Sequence, residues 1–284
     1  MEHFVEYVVR GLLSGALYGL LAMPMSLLFL TAGTIDFAVG GYALVAAAVA
    51  GSLAGPLGLI GGMAAALLSA SVMAAVFVLL KRTGNEDPIT VALASFGLAV
   101  ALASIVLWQF GTGAFVRPSF TVFWDLFGIR VSPQGFLNAG IGALLVAALY
   151  AVLYGTDLGR MMRAAAVNAR GAELAGIRVL SVQSATFLVG GFISGLAGLL
   201  ILYTSGMDFT HSLPLTLSGF GAAIIFGIQS PMRGYLGGFT MGVIEAVSAG
   251  YASAMVATLV PSLFILLVLS TSYLRQQRFT GDRP

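Results

Sequence analysis

Cysteine is absent from the 284 residues, which excludes disulfides, thiolate nucleophiles and cysteine metal sites. Histidine occurs only at His3 and His211, far apart, so there is no histidine metal cluster and no Ser-His-Asp arrangement. A Gly-x-x-x-x-Gly-Lys-Ser/Thr run is also missing, and with it a phosphate cradle of the P-loop kind. The residues call for no cofactor and no metal, and they form no catalytic cluster. Charge is scarcer still: Asp, Glu, Lys and Arg make up 8% of the chain, against about 25% in a soluble domain. The net charge of +2 is too small to point to nucleic acid.

What fills the chain is hydrocarbon. Hydrophobic residues reach 59% and the mean hydropathy is +1.00, as expected of a polytopic membrane protein. At about 20 residues per span, this length allows eight to ten crossings. The apolar runs predict an all-α integral membrane helix bundle of about 8–9 transmembrane helices, with residues 1–284 as one transmembrane domain. They fall at 8–30, 37–54, 59–80, 89–110, 136–154 and 184–203. A short Gly- and Pro-studded segment follows at 213–231, then a span opened by Gly237-Gly238, and a last one at 256–269. Glu2 and Glu6 stand where a signal peptide needs basic residues, so the first run reads as a retained span.

Within these runs a few residues stand out. Gly11, Gly15 and Gly19 repeat every four residues, as do Gly191 and Gly195, which strips a helix stripe bare for close packing. Pro24 predicts a kink in the first span. Asp36 and Glu245 are the two acids flanked by membrane sequence, and an intramembrane acid needs a cavity, a partner or a proton. Acids this sparse argue against a proton relay. The interval 111–134 holds Arg117, Asp125, Arg130 and Trp124 and reads as an aromatic-rich interfacial loop, or as a docking place for a partner. The broken backbone expected over 214–231 suits a cavity lining better than a lipid face.

The most polar connection is Thr156-Asp157-Leu158-Gly159-Arg160, continuing through Arg163, Asn168, Arg170 and Glu173 to Gly176 and Arg178. Thr156 or Asp157 caps a helix start, and the alanines that follow favour a helix. At about 100° per residue, Arg160, Arg163 and Arg170 share one arc of such a helix. Placing residues 156–178 in the cytoplasm brings Lys81-Arg82, Arg233, Arg275, Arg278 and Arg283 to the same side and leaves Arg117 and Arg130 outside. If the segment after Asp36 crosses fully, there are nine spans and an outside N-terminus. If it only dips in, there are eight and an inside N-terminus.

Leu158-Gly159-Arg160, Arg163-Ala164, Asn168 and Glu173-Leu174-Ala175-Gly176-Ile177, in that order, resemble the cytoplasmic coupling segment of permeases of the branched-chain amino acid ABC transporter family. Asp36-Phe37-Ala38-Val39-Gly40-Gly41 resembles that family's Asn-Phe-Ala-His-Gly-Glu stretch, with Asp36, Val39 and Gly41 in place of the asparagine, histidine and glutamate. The block 213–231 resembles the small-residue stretch before the family's Gly-Gly motif, with Ser218 for a usual lysine and Phe226 for the first glycine. The likeness runs from about Gly11 to Ser270 and is strongest over 156–251.

The resemblance implies a permease subunit of an ATP-binding cassette importer in the bacterial cytoplasmic (inner) membrane. It implies a sister permease in a homo- or heterodimer, two cytoplasmic ATPase subunits that carry the ATP hydrolysis, and an extracytoplasmic solute-binding protein. By the same likeness, Asp157, Gly159, Arg160, Arg163, Asn168, Glu173 and Gly176 belong to the ATPase-coupling segment. Asp36, Phe37, Ser218, Gly221, Ala222 and Glu245 belong to the translocation pathway. The solute implied is a branched-chain amino acid or a similar small amphipathic molecule, and the same transporter class also carries urea, amides and small organic acids. The competing reading is a stand-alone channel or ion-coupled carrier, which needs paired intramembrane charges; Asp36 and Glu245 alone qualify.

Overall fold

A computed structural model describes residues 2–53, 55–84, 87–117, 120, 124–126, 129–251, 262–268 and 270. The first half holds α1 (Glu2–Ala32), α2 (Val39–Ser52), α3 (Gly55–Arg82) and α4 (Pro88–Phe110), then a small hairpin of β1 (Trp124–Leu126) and β2 (Ile129–Val131). The second half holds α5 (Pro133–Gly155), α6 (Asp157–Val167), α7 (Ala169–Leu174), α8 (Val179–Thr204), α9 (Ser212–Ile225) and α10 (Pro231–Tyr251). Residues 262–268 are helical as well. The end of the expected last span at 256–261 and 269, with Arg275, Arg278 and Arg283, lies outside the described residues, as do the side chains of Asp125 and Arg130.

Among the described residues, five helices are long and apolar enough to cross a bilayer. Of these, α1 and α8 are the buried centre, while α3, α4 and α5 turn rows of large apolar side chains outward, among them Leu68, Val72, Phe96, Ile105 and Leu144. A surface of that kind suits lipid rather than water. Trp108, 83% exposed near the end of α4, sits where an interfacial anchor belongs. The chain is a multi-pass membrane protein.

The glycines explain how the centre closes. α1 runs antiparallel to α10, and a Cβ placed on Gly15 would lie 2.6 Å from the Gly238 carbonyl oxygen. One on Gly11 would lie 2.6 Å from Cα of Val243, and one on Gly19 2.6 Å from the Tyr235 carbonyl oxygen. Backbone meets backbone along the whole stripe, so dispersion acts without intervening side chains. α1 continues as helix through Pro24.

Chain direction follows from contacts at the helix ends. Gln183 Nε2, near the start of α8, donates to the carbonyl oxygen of Thr31 at the end of α1 (3.0 Å). Thr34 Oγ1 donates to the carbonyl of Pro88, where α4 begins (2.9 Å). The finish of α1 therefore shares a face with α6 and α7. Gly51, at the end of α2, packs on Phe115 beyond α4, and Phe115 pairs with Met207 beyond α8. α2 thus ends on the opposite face. Direction alternates through every helix from α1 to α4, so α1 starts on the face away from the basic segment.

Only 14 residues make up α2, about 21 Å of helix against a hydrocarbon core of about 30 Å. The remainder of the distance is covered by residues 33–38. Both ends of α2 are held by charge. Asp36 Oδ1 accepts from the Ala38 amide at 2.8 Å, and Oδ2 accepts from the Tyr42 hydroxyl at 3.0 Å. At the far end the Arg117 guanidinium donates to the carbonyls of Ala50 (3.2 Å), Gly51 (3.3 Å) and Leu53. An anion just before the first turn and a cation at the last complement the helix dipole. Arg117, anomalous as an outside cation on charge counting, has this local purpose.

Candidate functional site

The polar connection between α5 and α8 is two helices joined by a cap. Thr156 ends α5 and caps α6, its Oγ1 accepting from the Gly159 amide at 3.2 Å. α6 buries Met162 and Ala165, and it contacts both α1 and α8. Asn168 then leaves the helical conformation and caps α7, its Oδ1 accepting from the Gly171 amide at 2.9 Å. The single basic helix expected here is therefore divided. Asn168 is a better cap than helix interior, and its side chain satisfies an amide that would otherwise lack a partner. Arg170 accordingly belongs to α7 and does not share a helix with Arg160 and Arg163. Gly176 ends the unit with φ of +84°, a conformation that strains any other residue.

The arginines have separate partners. Arg160 pairs with Asp157 one turn earlier, both of them exposed, an arrangement that adds little stability. Arg163 folds back on α5: its guanidinium lies 4.7 Å from the centre of the Tyr154 ring and donates to the carbonyl of Leu153. There it meets the negative end of α5. Gly159 is pressed against the carbonyls of Val152 and Leu153, so this corner has no room for a side chain. Arg170 and Glu173 line a cavity of about 380 Å³ with Lys81, Arg82 and Gln183.

Val167 and Leu174, to which residue order gave no role of their own, are 88% and 86% exposed on this face. A signal existed. They are large apolar residues in the most polar connection of the chain, and Val167 lies off the face that α6 buries through Met162 and Ala165.

The residues expected in a pathway gather around α9, which is a continuous helix over Ser212–Ile225; its break comes afterwards, at Phe226 to Ser230, with Gly227 at φ of +94°. The Phe37 amide donates to Ser95 Oγ at 2.9 Å, and the Phe37 ring lies 5.4 Å from that of Phe220. Thr216 Oγ1 accepts from the Gly40 amide at 3.1 Å, joining the starts of α2 and α9. Ser218 is buried. A Cβ on Gly221 would lie 2.6 Å from Cγ1 of Ile265, and Ala222 is buried with Ala22, Ala223 and Met241. Glu245 of α10 lies close to Tyr18 of α1, and its Oε2 is buried with no partner among the described residues. Asp36 and Glu245 thus sit apart, Asp36 bonded to Ala38 and Tyr42 and Glu245 beside Tyr18.

On the opposite rim Asp208 opens a single helical turn. Its Oδ1 accepts from the Thr210 amide at 2.8 Å, and its own amide donates to His211 Nδ1 at 3.2 Å. Partial burial pushes the Asp208 carboxyl up, but hydrogen bonds from Thr210 and the contact with His211 hold it below the usual range. Among the described residues no group of three His, Asp or Glu side chains could hold a metal ion.

The chain that folds as this glycine-packed bundle, with two short helices and a capped two-helix segment on one face, has relatives among known sequences. The family model for the branched-chain amino acid transport system permease component matches residues 7–269. The high-affinity branched-chain amino acid transport system permease proteins LivH of Salmonella typhimurium and of Escherichia coli K12 are each 24% identical over 286 residues, 94% of this chain and 93% of theirs. BraD of Pseudomonas aeruginosa, named for the same system, is 24% identical over 293 residues, again 94% of this chain and 93% of its own. No solved structure matches. With the match covering nearly the whole chain, the protein belongs to the family of permease components of branched-chain amino acid transport systems.

Proposed function

We propose that this permease works as one of a pair in an ATP-driven importer of the bacterial cytoplasmic membrane, taking up branched-chain amino acids or similar small amphipathic solutes. Two ATPase subunits dock on the face that carries α6 and α7, and a solute-binding protein docks on the opposite rim. ATP is hydrolysed on those partner chains, and this chain supplies the conduit. The observation that carries the reading is the exposed apolar pair Val167 and Leu174 on a rigidly capped segment. Large apolar side chains held out on an aqueous face mark an interface. Asp157, Gly159, Arg160, Arg163, Asn168, Glu173 and Gly176 shape this segment, chiefly by fixing its corners and caps. Because α6 packs on α1 and α8, a push on it reaches the centre of the bundle.

The solute passes along α2 and α9, close to Asp36, Phe37, Ser218, Gly221, Ala222 and Glu245. In the packing described here the Gly221 and Ala222 side of α9 is covered by Ile265 and α10, so a route there opens when those elements part. Among the described residues no cation lies beside these to hold a carboxylate, so passage is weak and largely apolar, and the solute-binding protein sets specificity.

Reconstitution tests the whole reading. Proteoliposomes with the ATPase and solute-binding partners take up a labelled branched-chain amino acid only with ATP inside, and the chain alone moves none down a gradient. Gradient-driven uptake by the isolated chain would instead make it a self-sufficient carrier. Uptake with ATP of urea, an amide or an organic acid in preference to the amino acid would keep the transporter class and change the solute.

A further inference from the structure

We infer that the cavity where α3 ends against α7 holds the phosphate headgroup of an anionic membrane lipid, with an acyl chain lying along α3. Lys81 and Arg82 close α3, and Arg170 arrives from α7 because Asn168 breaks the connection where it does. Three cations from two separate elements thus line one cavity of about 380 Å³, within the ~300–1,000 Å³ range of small-ligand sites. Residues that only marked the cytoplasmic side would have no need to converge.

The rest of the lining says which anion fits. Val179 and Leu180 give an apolar wall, and the Gln183 amide is already spent on the carbonyl of Thr31. The Glu173 carboxylate lines the same cavity and would repel a bare phosphate. A headgroup that adds hydroxyl donors to its phosphate gives both signs a partner, as phosphoglycerol does. On α3 the exposed residues Leu68, Val72, Ala75, Leu79 and Arg82 follow one another at spacings of three and four, an apolar stripe that runs straight to the cavity. A lipid bound by its phosphate at Arg82 finds that stripe under its tail.

This site does not depend on the transport reading, and it is tested on the full chain without partners. The protein is extracted from bilayers of phosphatidylglycerol and phosphatidylcholine, and its retained lipids are counted by native mass spectrometry. Phosphatidylglycerol should be retained in preference. Lys81→Gln, Arg82→Gln and Arg170→Gln should each lower that preference about fivefold, the effect of one cation near a membrane surface. Arg178→Gln, on the same face but outside the cavity, should leave it unchanged, and Arg170→Lys, which keeps the charge, should largely preserve it. Thermal midpoints in phosphatidylcholine alone check that each variant is folded. Equal retention of the two lipids by the unaltered chain would overturn the proposal, as would an effect of Arg178→Gln equal to that of Arg170→Gln. Displacement of the lipid by millimolar glycerol phosphate would mark a site for soluble phosphate esters instead, and would overturn the lipid assignment.

Discussion

At the scale of single residues, the protein separates glycines that are needed from glycines that are not. Gly15 and Gly238 face each other across α1 and α10 with no space for a methyl group, whereas a Cβ on Gly97 of α4 would meet nothing within 4 Å. Gly15→Ala and Gly238→Ala should each destabilise the bundle by about 1–3 kcal/mol through overpacking. Gly97→Ala should be neutral or raise stability by up to about 1 kcal/mol. Thermal unfolding midpoints in detergent compare the three, and equal shifts would remove the argument for close backbone approach. Glu245 poses a different question, because its carboxyl rests on Tyr18 inside the bundle. Glu245→Gln keeps the shape and a hydrogen-bonding group, so it should alter assembly or turnover more than solute preference. Competition profiles for uptake decide this: a switch in the preferred solute would make Glu245 a selectivity residue.

At the scale of the element, α2 is the unusual part, a buried half-length helix that owes its position to its two ends. Arg117→Ala removes charge-assisted bonds to the last turn, each worth about 1.5–3 kcal/mol when the donor is ionised. Asp36→Ala removes the first-turn acceptor and leaves the Tyr42 hydroxyl without its partner, whereas Asp36→Asn keeps an oxygen for the Ala38 amide. Hydrogen exchange followed by mass spectrometry should show faster exchange across residues 39–52 in both alanine variants and little change in Asp36→Asn. Arg117→Lys should rescue only in part, since the shorter side chain brings its ammonium less close to the carbonyls that the terminal guanidinium nitrogen now reaches. If exchange in α2 ignores all four changes, its ends are not what holds it.

At the scale of the whole molecule, the issue is how an event on one face reaches the conduit. Val167→Glu and Leu174→Glu should weaken ATPase association at least about tenfold, as expected when an apolar anchor at an interface is replaced by a charge, and should leave membrane insertion intact. Arg160→Glu should have a modest effect on association, its pair with Asp157 being exposed. Arg163→Glu should act through the α5–α6 corner, lowering stability more than affinity, because Arg163 faces Tyr154 and Leu153. Co-purification and thermal midpoints together separate these outcomes. For the conduit, single cysteines at Ser218, Gly221 and Ala222 can be labelled without background, since the chain has none of its own. Water-soluble reagents should reach them only when nucleotide and partners part α9 from α10. Labelling that is absent in every state would put the route elsewhere.

Much of this was open to reading from residue order alone. Long apolar runs are necessarily helices in a bilayer, since backbone groups there have no water to satisfy them. That is why the expected runs at 59–80, 89–110 and 136–154 reappear within α3, α4 and α5. The four-residue glycine repeat announced close packing because its period is that of one helix face. The tertiary structure decided what depends on partners distant in sequence. Charge counting left open whether the N-terminus shares a face with the basic segment, and contacts such as Gln183 with Thr31 and Gly51 with Phe115 put it on the opposite face. Helical periodicity put Arg160, Arg163 and Arg170 on one arc, and the Asn168 cap, a single hydrogen bond competing with alanine propensity, separated them. Nor could the sequence pair Thr216 with the amide of Gly40 or Arg117 with the carbonyls of Ala50 and Gly51. A buried charge is stabilised only by what the fold brings to it, and a linear reading does not contain that geometry.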